Sequence, residues 1–150
     1  MNKLLLIAVI FFAGYGYLNF QHSSTPSGAQ PFATTQGTND SDAIISNAFL
    51  NHESDLQVSG QGVVIKLLSD DTSGSRHQKF IIRLASGQTL LVAHNIDLAP
   101  RIDSIREGDS IQFNGEYEWN KKGGVLHWTH RDPKGAHAAG WLKHQGQTYQ

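Results

Sequence analysis

The sequence predicts a mainly β domain behind an apolar N-terminal segment, and three observations carry that reading. Ile111, Phe113, Gly115, Tyr117 and Trp119 alternate with Ser110, Gln112, Asn114, Glu116 and Glu118, the period-two pattern of a half-buried strand. Phe80, Ile82 and Leu84 repeat the pattern against Lys79, Ile81 and Arg83. A long run from Leu56 to Leu68 carries Gly60 and Gly62 on one face, where glycines permit the sharp bend that closes a barrel.

Taken in chain order, Leu4 to Phe20 holds no charge, follows Lys3 and is rich in Leu, Ile and Phe. It reads as a transmembrane helix or signal-type segment, with Tyr15 and Tyr17 suited to a membrane interface. Gly14 and Gly16 are poor cleavage residues, which favours an uncleaved anchor over a cleaved signal peptide. Gln21 to Thr38 is Ser, Thr, Gly, Gln and Pro with little to bury, a flexible linker. Asp40 or Ser41 can cap a short helix whose Ile44, Ile45, Ala48 and Phe49 share a face and lie on the domain as a lid. The strands then run Leu56–Leu68, Lys79–Leu84, Thr89–His94, Ser110–Trp119 and Val125–Thr129, with Ser86-Gly87 and Lys122-Gly123-Gly124 as turns. Ile96–Arg106, containing Pro100, is expected as a loop or short helix between the third and fourth strands. Five strands, a bent first one and a helical third connection describe a five-stranded OB-like barrel, with an open sandwich as the alternative. The organisation is an anchor or signal over 1–20, a linker over 21–40 and the β domain over 41–150.

Composition narrows the function classes. Twelve Lys and Arg nearly balance thirteen Asp and Glu, so no global basic field argues for nucleic acid. Residues 56–150 hold eleven Lys or Arg against nine acids, and their histidines would make them more cationic in mild acid. The absence of cysteine excludes disulfides, a lipidated Cys, thiol catalysis and Cys-ligated zinc. No HExxH, GxSxG, P-loop or dinucleotide pattern occurs.

Four stretches carry a family resemblance: Arg76–Phe80, Ala93–Arg101, Gly115–Asn120 and Gly123–His130. With their order, they resemble the domain-of-unknown-function family 3465 of small exported bacterial proteins, over roughly residues 56–150. The resemblance implies membership and export. It brings no activity and no catalytic residue.

The chemistry-bearing residues concentrate near the C-terminus. His127, Trp128, His130, Arg131, Asp132 and His137 fall within eleven residues, and His77 and His94 begin or end neighbouring strands. These eight residues are the expected ligand-binding surface. Pro133-Lys134-Gly135 can turn the chain so that His130, Asp132 and His137 meet, a set suited to zinc or another divalent ion. A straight strand, however, points His127 and His130 to opposite faces. Glu116 and Glu118 share a strand face at roughly 7 Å, a spacing that suits paired carboxylates, although solvated acids on an exposed strand face are the favoured reading. His77, Lys79 and Arg83 lie near one face of the second strand.

The reading is an exported OB-like binding module with a His-rich rim, anchored in the inner membrane facing the periplasm or released there. Its expected partners are the membrane through the N-terminal segment and a glycan, peptide or envelope protein, ahead of nucleic acid. The alternatives are a small hydrolase, with or without a metal, that uses His130, Asp132 and His137 with Glu116 as base, and a structural envelope protein without a small ligand. A reporter fused after Asp55 is expected to be active outside the cytoplasm. Activity confined to the cytoplasm contradicts export.

Overall fold

The computed structural model describes residues 35–150. The expected anchor and most of the expected linker lie outside the described residues, and no helix among the described residues is long and apolar enough to cross a membrane. The elements are α1 (Thr35–Asn51), β1 (Leu56–Leu67), β2 (His77–Arg83), β3 (Thr89–Asn95), β4 (Ser110–Glu118), β5 (Val125–His127), β6 (Trp141–His144) and β7 (Gln147–Tyr149). Five of the strands close on themselves in the order β1-β2-β3-β5-β4 and back to β1. The expected closed barrel of five strands is present, and the open sandwich is excluded.

Closure depends on β1. Its first part, Leu56–Val63, pairs antiparallel with β4, and its second, Val63–Leu67, pairs antiparallel with β2. The register slips between Val64 and Lys66, the irregularity that lets a strand coil from one neighbour to the other. Gly60 and Gly62 are necessary here. A Cβ on Gly60 would lie 2.8 Å from the Phe113 ring, and one on Gly62 would lie 3.0 Å from the Arg83 carbonyl oxygen. The barrel's last seam is parallel, Leu91 and Val92 of β3 against Val125 and Leu126 of β5.

Alternation places the core. Phe80, Ile82, Leu90, Val92, Ile111, Phe113, Tyr117 and Leu126 are fully buried, while their neighbours along each strand face outward. Trp119 is half-buried and packs on this cluster, its indole N–H donating to the Phe49 carbonyl at 3.0 Å.

Helix α1 departs from expectation at its start. It begins at Thr35, so residues 35–40 are helical rather than linker, and Asp40 and Ser41 are not its cap. The buried Asp42 carboxylate instead accepts the Ser86 N–H at 3.0 Å, tying the helix to the β2–β3 turn. Ile45 and Ala48 face the core as expected, but Ile44 is 53% exposed and belongs to the other side.

The β3–β4 connection is built of turns and contains no helix. Pro100 disfavours helical geometry at Ala99 and removes an amide donor. The loop is fixed instead by Gln78, buried in β2. Its amide group donates to the Ile102 carbonyl and accepts the Ile102 N–H, both at 2.9 Å, seating Ile102 in the core.

Two strands were not expected. β6 pairs with β4 over Ile111–Asn114, where β5 has ended, and β7 pairs with β6. A two-residue turn joins them, with Gln145 at φ 48° and Gly146 at φ 82°, as twisted hairpins require. β5 is shorter than expected and stops at His127, because Trp128 adopts φ 48°.

Phe113 fills the space that Gly60 leaves. Phe113→Ala is expected to lower unfolding free energy by about 3–5 kcal/mol, and Gln112→Ala, on the outer face, by less than about 0.5 kcal/mol. Chemical denaturation measures both, and equal losses contradict the face assignment.

Candidate functional site

The outward residues of β2, β3 and β5 form the floor of an open groove of about 420 Å³. Leu91, Ala93 and Val125 supply an apolar base, and His77, Lys79, His127, Glu118 and Asp71 supply polar walls. Asp71 enters from the β1–β2 loop, where its backbone exchanges hydrogen bonds with His77 at 2.8 and 2.9 Å. Lys79 pairs with the Asp71 carboxylate at 3.7 Å. The Ser73 N–H, and then Lys79, hold the Asp71 carboxyl below the usual carboxylate range.

At the β4 end of the groove, Glu116 and His127 are direct cross-strand partners, and Glu118 lies two residues along on the same face. His127 Nε2 lies 3.4 Å from Glu116 Oε1 and 3.7 Å from Glu118 Oε1. That nitrogen is buried and makes no hydrogen bond. One ligand atom from each of the three residues lies within 4.8 Å of the others. Burial, then the charges of Glu118 and Asp55, push the Glu116 carboxyl above its ordinary range. Burial pushes the His127 imidazole down, against the pull of Glu118. The pair of acids expected to be solvated is thus part-buried and faces an imidazole.

Trp128 forms the rim. Its positive φ is rare for a bulky side chain and ends the strand. Its ring stacks on His137 at 4.3 Å and lies 5.0 Å from His127. Gly140 allows this turn, since a Cβ there would overlap the Trp128 carbonyl oxygen at 2.0 Å. The Gly140 N–H donates to the His130 carbonyl at 2.9 Å and closes the loop at its base.

The structure thus divides the expected site residues. His77 and His127 enter the groove, and Trp128 and His137 stand beside His127. His130 is buried behind the rim, its ring edge-on to His137 at 5.1 Å and its Nδ1–H donating to the Arg131 carbonyl at 2.7 Å. Arg131 is exposed. Asp132 accepts backbone N–H groups from Lys134 at 2.8 Å, His137 at 2.9 Å and Ala136, an arrangement that shapes the loop. These amides, Lys134 first, hold its carboxyl low. His130, Asp132 and His137 therefore do not form the expected metal set, because the carboxylate serves the backbone and the His130 ring is turned to a carbonyl.

His94 is a core residue. The Pro100 carbonyl can only accept, so Nε2–H donates to it at 3.2 Å and Nδ1 accepts the Thr129 hydroxyl at 2.8 Å. His144, which the sequence did not single out, is equally buried and bonded to Asp109 at 2.8 Å. Asp71 was also missed, and Glu118 was weighed only as a carboxylate beside Glu116. The Glu-x-Glu alternation placed Glu116 and Glu118 on one face, but only the cross-strand register puts Glu116 opposite His127, with Glu118 opposite Val125.

A family model described as "Protein of unknown function (DUF3465)" matches residues 29–150, and the chain belongs to that family. No curated protein matches the chain.

Burial pushes His94 down from 6.5 to about 4. The unfolded chain then binds the proton more readily, so stability is fully present above pH 6.5 and is lost as pH falls toward 4. The largest loss is roughly 3 kcal/mol. His94→Gln is expected to flatten denaturation midpoints across that interval, and an unchanged pH profile contradicts the assignment.

Proposed function

We propose that this DUF3465 member is an exported binding module that holds a small polar ligand in the outer groove of an OB-like barrel. The groove carries the reading: an apolar base of Leu91, Ala93 and Val125 with polar groups converging from four strand and loop segments is the common form of a small-ligand site. The strand order, with β3 and β5 joined in parallel, supports the OB-like assignment. OB barrels bind ligands on the outer face of their second and third strands, where this groove lies. Export rests on the uncharged stretch from Leu4 to Phe20.

The charges select the ligand. Glu118 and Asp71 line the groove with Lys79, which is already paired with Asp71, and Glu116 lies beside them against His127. Phosphate backbones need several free cations, so a nucleic acid is a poor fit. A short peptide or amino sugar fits better, its ammonium toward the two glutamates and its apolar part on the floor. A small hydrolase is the second reading, favoured by one observation: a glutamate raised by burial beside an imidazole is an acid–base arrangement.

Amide-shift mapping with di- and tripeptides and with glucosamine oligomers tests the binding reading. Shifts are expected at residues 77–79, 91–93, 116–118 and 125–128, with affinity reduced by Glu118→Gln. Shifts confined elsewhere, or none with either ligand class, reject the groove as the site.

A further inference from the structure

We propose that Glu116, Glu118 and His127 bind a divalent transition-metal cation at the β4 end of the groove. The inference rests on reading that groove as the site and adds the ion that organises it.

Distance is the first argument. His127 Nε2 stands 3.4 and 3.7 Å from the two carboxylate oxygens. A hydrogen bond between nitrogen and carboxylate would close to about 2.7–2.9 Å. Bonds of roughly 2.0–2.2 Å that meet a metal at a tetrahedral angle place ligand atoms about 3.4 Å apart. The spacing is that of atoms sharing a third partner.

The second argument is the unpaired nitrogen. His127 Nε2 is buried without a hydrogen bond, although two carboxylates stand before it. A buried polar atom left in that state is destabilising. A cation satisfies the nitrogen and both carboxylates together, and it removes the repulsion between Glu116 and Glu118.

Backbone geometry makes the set rigid. Two ligands lie on β4 and the third on β5, fixed by the Glu116–His127 register. The side chains remain 14%, 33% and 27% exposed, so the ion would face the groove with a coordination position open to water or a ligand. His137, stacked on Trp128 at 4.3 Å, adds a second imidazole one ring away from His127. Two carboxylates and a neutral imidazole balance a double positive charge. An imidazole with carboxylates suits zinc, manganese or iron(II), while calcium and magnesium favour oxygen alone.

Zinc is the test probe. Full-length protein, stripped with chelator and solubilised in mild detergent, is titrated with zinc sulfate by calorimetry. One equivalent is expected to bind. Glu118→Gln and His127→Gln are each expected to weaken it at least about 100-fold, since losing even an outer-shell partner costs about 10–100-fold. His52→Gln, at an exposed histidine in the turn after α1, is expected to leave it unchanged. Circular dichroism confirms that each variant folds. No saturable zinc binding, or binding indifferent to both groove variants, overturns the proposal. Peptide or amino-sugar shifts in the groove without zinc binding reject the metal alone. Zinc binding with no such shifts rejects the small-ligand reading and leaves the metal site standing.

Discussion

The bend in β1 is the constraint from which the rest of the molecule follows. One strand must satisfy backbone groups along β4 with its first part and along β2 with its second. Without that double pairing, β2 and β4 would be open edges of a curled sheet. With it, β3 and β5 are brought side by side in parallel, although they belong to separate hairpin regions of the chain. Gly60 and Gly62 make the bend affordable in space, because Phe113 and the Arg83 carbonyl occupy the volume that side chains there would need. The same closure rolls the outward residues of β2, β3, β5 and β4 onto one continuous surface, and the groove is a consequence of it.

The strands were legible because each buries one face and exposes the other, and period two survives in sequence at Phe80–Leu84 and Ile111–Trp119. The β6–β7 hairpin was missed for a readable reason. Gln145-Gly146 carries a turn signal, but the runs on either side of it, Trp141–His144 and Gln147–Tyr149, are only four and three residues long. The helix start was hidden by composition, since Thr35–Asp40 lacks the apolar residues that mark a helical face. Of the loop and the short helix expected between β3 and β4, the loop is present, and nothing local shows that Gln78, twenty-four residues upstream, holds Ile102 by both its backbone groups.

The site was half legible. Density of histidine pointed to the end of the barrel where His127 lies, yet several of the imidazoles serve the fold. His94 and His144 are core groups with both ring nitrogens engaged, and His130 is turned to a carbonyl. A histidine in sequence looks the same whether its partners are backbone or ligand. What separates them is a register: Glu116 opposite His127 and Glu118 one pleat further on. The register depends on where β5 ends, and β5 ends where Trp128 takes a positive φ that no residue pattern announced.

That turn at Trp128 ties the rim to the groove. A bulky residue in the left-handed region is strained and persists only where surrounding contacts impose it. Here Gly140 makes room for the Trp128 carbonyl, His137 stacks on the ring, and Asp132 gathers the backbone amides that hold His137 in place. Had the strand continued straight, alternation would have turned Trp128 to the opposite face from His127. The turn instead keeps the indole beside the His127 ring, and through it His137. The loop therefore acts on the groove through one dihedral angle. Its carboxylate, the group that seemed most suited to chemistry, contributes by fixing the backbone, while the groups free for a ligand are the two glutamates and the imidazole on the strands.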